Sequence, residues 1–146
     1  MANYAKGTYV PKHPEKYIGK YPIIYRSSWE FAFIRFVDQS NPYILFWASE
    51  TIEIPYKNPL KGKFSIYIPD FLIGYMDKNN KKHCELIEIK PEKQMPGYQG
   101  KTSTKEKLQQ AINAAKWQAA LAYCAKRNWM FRVINEKQLF AFQRKS

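Results

Sequence analysis

Two cysteines, two histidines and six glycines are all that the 146 residues contain, and each scarcity removes a class of function. Cys84 and Cys124 are too few for a disulfide framework and suit a reducing compartment. A zinc cage needs clustered Cys and His, yet only His13, His83, Cys84 and Cys124 are available. His83 and Cys84 are neighbours on a predicted strand and so face opposite sides. The same shortage of histidine leaves no base for a cysteine nucleophile, and Cys124 falls on the apolar stripe of a predicted helix. No glycine stands in a G-x-G-x-x-G or G-x-x-x-x-G-K pattern, so there is no phosphate-cradling loop. Ser27 and Ser28 lack a nearby base in sequence and read as helix caps. Long apolar stretches are missing too. Runs such as Tyr43–Ala48 cover six residues, where roughly 20 are needed to span a bilayer. Lys6, Lys12, His13, Glu15 and Lys16 leave no apolar core for a secretory signal. The expectation is a soluble, cytoplasmic chain of one domain.

Acid is the last scarcity. Twelve Asp+Glu face 24 Lys+Arg, a formal charge of +12. Residues 1–90 hold 13 basic and 9 acidic side chains, whereas residues 91–146 hold 11 and 3. Such a balance attracts polyanions, and nucleic acid is the commonest one inside a cell. Lys93, Lys101, Lys105 and Lys107 cluster just after a predicted strand, as a phosphate-binding stripe would require. No segment pairs a lysine-rich face with a continuous apolar one, which argues against a membrane surface. Aromatics at 16% and hydrophobics at 45% exclude a disordered chain.

Pro11, Pro14 and Pro22 make residues 1–26 an extended arm, which Tyr4, Tyr9, Tyr17, Tyr21 and Tyr25 hold against the body. Trp29, Phe33, Phe36 and Val37 recur at helical spacing, predicting a helix from Ser28 to about Gln39 that Asn41-Pro42 stops. Strands are predicted at Tyr43–Ala48, Thr51–Tyr56, Phe64–Ile68, Phe71–Met76 and His83–Lys90. A hairpin turn at residues 77–81 joins the last two. Residues 91–103 read as a loop. Thr104 to Asn128 reads as the longest helix, capped by Thr104 and buried along Ala114, Trp117, Leu121 and Cys124. A strand at Met130–Ile134 and a short helix at Glu136–Phe142 close the chain. The fold class is α/β or α+β, a central mixed sheet flanked by helices. Residues 27–135 form its core, and 136–146 a C-terminal helix and tail.

The placement of the few acids is informative. Asp70 follows Pro69 where one strand run meets the next, and Glu88-Ile89-Lys90 comes eighteen residues later. Side chains alternate along a strand, so Glu88 and Lys90 share a face. The hairpin sets the two strands side by side, so Asp70 and Glu88 meet with Lys90 beside them. Two adjacent carboxylates repel unless a cation sits between them, and hard oxygen ligands suit Mg²⁺ or Mn²⁺. Such a metal would contact a phosphate oxygen and acidify a bound water, with the lysine orienting that water or stabilising transition-state charge. Taken alone, the pattern also describes a surface carboxylate pair bridged by a lysine. Glu30 has two readings. Ser27-Ser28-Trp29-Glu30 matches the S-x-x-E box that closes a helix start, and the same carboxylate could serve the site. Lys116 divides similarly, between solvating its helix and contacting nucleic acid.

Pro69-Asp70 and Glu88-Ile89-Lys90 resemble the signature of the PD-(D/E)xK nuclease superfamily, and the flanking helices match its core order. More narrowly, Tyr25-Arg26-Ser27-Ser28-Trp29-Glu30, Ile54-Pro55-Tyr56, Pro69-Asp70-Phe71, Glu88-Ile89-Lys90-Pro91 and Asn113-Ala114-Ala115-Lys116-Trp117 resemble the small head-completion nucleases of T-even-type tailed phages. These are themselves similar to TnsA-type transposon-end nucleases. The resemblance spans roughly Val10 to Leu139. It implies a restriction-endonuclease-like core and a Mg²⁺- or Mn²⁺-dependent DNA endonuclease of phage head maturation. It also implies the host cytoplasm, with phage head or portal proteins as partners. Asp70 and Glu88 would ligate the metal with the main-chain carbonyl of Ile89, Lys90 would be the catalytic lysine, and Glu30 would complete the site. Two alternatives stand beside it: a non-catalytic basic nucleic-acid-binding module, and a transposon-end or repair nuclease of the same fold.

Overall fold

The structure, a computed structural model, describes residues 6–139. A four-stranded sheet is formed by β3 (Ile44–Ser49), β6 (Phe71–Met76), β7 (Lys82–Ile89) and β8 (Met130–Ile134), in that spatial order. The first three strands are antiparallel, while β7 and β8 run parallel. A parallel pair needs a crossover, and α2 (Thr104–Arg127) supplies it. The sheet is therefore mixed, as expected.

Two apolar layers sandwich it. Phe71, Ile73, Ile87, Ile89 and Ile134 face α1 (Ser28–Arg35), where they meet Phe33, Ile34 and Val37. Ala48, Leu72 and Leu86 face α2, where Ala120 and Cys124 cover them. Period-two alternation along β7 thus sends Ile87 and Ile89 one way and Leu86 and Glu88 the other. Strands β4 (Ile54–Asn58) and β5 (Lys63–Tyr67) form a separate hairpin packed on α2. The arm is pinned by pairing of β1 (Gly7–Tyr9) with β2 (Ile23–Tyr25). Tyr9 and Tyr17 are buried against Trp47, but Tyr21 is exposed, and Tyr4 lies outside the described residues. Asp38 ties the arm down, its carboxylate accepting from the Lys12 and His13 main chain and the Tyr9 hydroxyl.

Several boundaries differ from expectation. The first α-helix ends at Arg35 and continues as a π-helical turn, Phe36–Ser40, which carries Asp38 inward. The strand expected at Thr51–Tyr56 begins at Ile54. Ser103, not Thr104, caps α2, because its hydroxyl accepts from Glu106 N while the Glu106 carboxylate accepts from Ser103 N. This reciprocal box satisfies two free amide donors at the helix start. The buried stripe of α2 is Asn113, Ala120 and Cys124, with Leu121 exposed. The stripe is rotated from the predicted one because the helix packs Asn113 against the 91–103 loop, where its amide donates to the Gln94 carbonyl at 2.9 Å. The loop itself begins with a 3₁₀ turn, Glu92–Gln94. Of the closing helix, residues 136–139 are helical, and residues 140–142 lie outside the described part.

Candidate active site

The site forms at one end of the sheet, where three strands finish side by side. Register pairs Ser49 with Phe71 and Phe71 with Ile87, so the next residues along, Glu50, Asp70 and Glu88, lie in one row. Glu50 N donates to the Asp70 carbonyl at 3.0 Å, and Asp70 N donates to Glu88 Oε1 at 3.3 Å. Asp70 Oδ2 in turn accepts from Ile89 N at 2.8 Å. Asp70 and Glu88 are thus brought together as the spacing predicts. Lys90 Nζ stands 3.7 Å from Glu88 Oε2.

Burial sets the electrostatics. Glu88 is 5% exposed. Loss of water raises the proton affinity of Asp70 well above the usual carboxylate range, and the Glu88 charge adds to it, against the Ile89 N–H. Glu88 is also raised by burial, with Lys90, the Tyr67 hydroxyl and Asp70 N opposing. Buried Glu88 and half-buried Asp70 therefore share too little positive charge. The donor set fits a divalent cation: hard oxygens, crowded and underneutralised. Among the described residues, no three acidic, histidine or cysteine side chains form a ready metal group. The rest of a coordination sphere would come from main-chain carbonyl, water and substrate oxygens, which suits an ion that keeps several waters.

Glu30 makes its hydrogen bonds to the helix start. Its amide donates to Ser27 Oγ at 3.1 Å, so the cap is real, but its carboxylate accepts from Arg26 N at 3.2 Å instead of Ser27 N. Burial raises its proton affinity, and the charges of Glu50, Arg26 and Lys90 act on it. It also acts on Asp70. The cap and the position at the site coexist.

Lys116 departs from the solvated reading. Its ammonium lies 5.8 Å from the centre of the Tyr56 ring and 5.5 Å from that of Tyr67, a cation–π arrangement. Burial lowers its proton affinity, and the charge of Lys90 lowers it further while Glu88 and Asp70 raise it. It therefore belongs to the same charge cluster as Lys90. Lys93, Lys101, Lys105 and Lys107 lie elsewhere, exposed on the loop and first turns of α2.

Three contributors escaped sequence reasoning. Tyr67 donates its hydroxyl to Glu88 Oε1 at 2.9 Å, from the strand just before Pro69-Asp70. Its burial pushes the phenol proton affinity upward, so it stays a donor. Arg26 pairs with Glu50 and feels Glu30 and Asp70. Glu50 sits at φ +50°, a left-handed conformation that a β-carbon makes unfavourable. Arg26 stood in the Tyr25–Glu30 motif before the helix cap with no role assigned to it, and nothing in the sequence marks the turn at Glu50.

No solved structure matches the chain significantly. The head completion nuclease of Enterobacteria phage T4 is 35% identical over 145 residues, covering 92% of this chain and 93% of that protein. The family described as TnsA-like endonuclease, N-terminal, matches residues 41–136, a span holding Asp70, Glu88, Lys90, the four strands of the central sheet and α2, while α1 with Glu30 precedes it. The chain belongs to the TnsA-like endonuclease family and is a relative of the phage T4 head completion nuclease.

Proposed function

We propose that the protein is a metal-dependent DNA endonuclease that acts in head completion and packaging maturation of a tailed phage, in the host cytoplasm and at the phage head. The observation that carries this reading is the Asp70–Glu88 pair at the end of the sheet, both carboxylates raised, with Lys90 3.7 Å from Glu88. Asp70, Glu88 and the Ile89 carbonyl would hold Mg²⁺ or Mn²⁺, and Glu30 would hold a water of that ion. When bound, a divalent cation supplies charge that polarises water and neutralises phosphate.

The remaining work falls to the protein. The Lys90 ammonium faces the charge that develops on the phosphoryl oxygens as water adds to phosphorus and an ester oxygen departs. Tyr67 and Asp70 N fix the Glu88 carboxylate, leaving Oε2 toward Lys90. Such fixed geometry lowers the reorganisation needed at the moment of reaction. Lys116, on its tyrosine platform, extends the positive field toward the neighbouring phosphate. Lys93, Lys101, Lys105 and Lys107 track the DNA backbone, so affinity should fall with salt at a slope near about −0.9 per phosphate contacted. The chain acts as one nuclease domain, and head or portal proteins are its assembly partners.

The test is cleavage of supercoiled, linear and branched DNA in Mg²⁺ or Mn²⁺ against EDTA, with wild type beside Lys90→Ala. Metal-dependent cutting that is lost in the variant while binding persists is the expected result. Binding without cutting in wild type, with Lys90→Ala no different from other lysine substitutions, would replace the nuclease with a binding module.

A further inference from the structure

The β4–β5 hairpin carries two unlike faces. Opposed residues share a face, and register pairs Ile54 with Tyr67, Tyr56 with Ser65, Pro55 with Ile66, and Lys57 with Phe64. The first two pairs point inward, where Ile54, Tyr56 and Tyr67 are buried against α2. The last two pairs point outward. Phe64 is 72% exposed and Ile66 55% exposed. Leu60, at the tip, and Ile68, just past the hairpin, are exposed as well. Single exposed apolar residues need no explanation, but a contiguous group on one small hairpin does.

Charge narrows the occupant. Residues 54–69 hold Lys57, Lys61 and Lys63 and no acid at all. A second copy of this surface would be repelled, while a polyanion would be drawn to it. Position narrows it further. The inward face delivers the Tyr67 hydroxyl to Glu88 Oε1 and places the Tyr56 and Tyr67 rings beneath Lys116. Phe64 lies three residues from Tyr67 along β5, roughly 10 Å at about 3.3 Å per residue. That is about three base-pair steps of duplex.

Resting on the nuclease reading, we infer that the hairpin is a DNA-engaging wedge. Lys57 and Lys61 hold phosphates, and Phe64 with Ile66 press into the base stack about three base-pair steps from the scissile bond. Apolar side chains flanked by basic ones part base steps in this manner, and the energy required is least where stacking is already interrupted. The substrate class that follows is a branched or nicked duplex in preference to an intact one.

Binding can be measured in EDTA, where no cutting occurs. Fluorescence anisotropy would compare a branched with an intact duplex, and 2-aminopurine beside the branch would report unstacking. The proteins are wild type, Phe64→Ala/Ile66→Ser and Lys57→Glu/Lys61→Glu, with thermal melts to verify folding. Wild type should prefer the branched duplex by about tenfold, the scale of one base–aromatic stack. The Phe64→Ala/Ile66→Ser variant should lose that preference and the fluorescence rise but keep intact-duplex affinity. The double lysine variant should weaken both. Unchanged preference and fluorescence in the apolar variant would overturn the wedge while leaving Mg²⁺-dependent cutting, and so the nuclease reading, intact. A hairpin-dependent fluorescence rise in a wild type that never cuts would sink the nuclease and keep the wedge. A wild-type dimer that the apolar substitutions dissociate would assign the face to a second copy.

Discussion

Two glutamates three residues apart on β7 meet opposite fates. Glu85 and Glu88 point to opposite faces of the same sheet, and both are nearly inaccessible, at 1% and 5% exposure. Glu85 accepts from Arg132 Nη2 at 3.1 Å and from the Tyr75 hydroxyl. One guanidinium nitrogen meets its Oε2 directly, while Oε1 is buried without a hydrogen-bond partner among the described residues. Glu88 has a hydroxyl, one amide and a lysine at 3.7 Å, with the Asp70 carboxylate as its neighbour. Burial alone therefore does not mark a site. What distinguishes Glu88 is the second carboxylate beside it, so that two acids face one lysine where Glu85 alone faces an arginine, and a surplus of negative charge is the condition under which an external cation binds.

Substitution on the Glu88 side should cost catalysis rather than structure. Glu88→Gln and Lys90→Ala should each lower single-turnover cutting by about 10²–10³ or more, the scale of one lost electrostatic contact in a preorganised site. Circular dichroism and anisotropy should show folded protein that still binds DNA. A loss of the same size in Glu85→Ala, measured per folded molecule, would break the comparison.

Glu85→Ala should instead lower stability by about 2 kcal/mol or more. It removes the acceptor of Arg132 and Tyr75 on a buried face, and the half-exposed arginine recovers part of the cost by rehydrating. Urea unfolding gives the number.

Asp70→Asn sharpens the contrast from the other direction. The folded proton affinity of Asp70 is raised, so its favourable contribution is full below the ordinary carboxylate range and is lost as pH rises through the folded value. Without metal, the variant should melt a few degrees higher than wild type at pH 8, with the gap closing toward pH 4; about 1 kcal/mol moves a domain of this size by roughly 2–4 °C. The amide retains an oxygen for Ile89 N, so the change tests charge and not the hydrogen bond. Mg²⁺ should raise the wild-type melting temperature and leave the variant unmoved.

The smallest effect belongs to Arg26→Gln. The Arg26–Glu50 pair is half exposed and should contribute under about 1 kcal/mol to stability. A larger loss would make it a structural clamp like Glu85–Arg132.

Much of this was legible in advance. Period-two and period-3.6 patterns located β6 over Phe71–Met76 and the long helix to within a residue, because burial imposes the same periodicity on any chain. The hairpin turn at residues 77–81 made Asp70 and Glu88 neighbours by register. The π-helical turn was not legible, since Phe36 and Val37 fit an ordinary helix equally well. Nor was the rotation of α2, which follows from the loop contact at Asn113 and not from the apolar residues alone. Lys116 was read as undecided because helical spacing cannot say which of two adjacent faces meets the sheet.

By itself the sequence determined the strand and helix order, the surplus of positive charge and the adjacency of Asp70, Glu88 and Lys90. These depend on local periodicity and on one short turn. Only the tertiary structure decided that β3 ends in the same row, bringing Glu50 and Arg26 to the site, and that the β4–β5 hairpin lends Tyr67 to Glu88. Those contacts join segments about 20 residues or more apart, and their geometry is set by sheet register and helix packing, which no local pattern encodes.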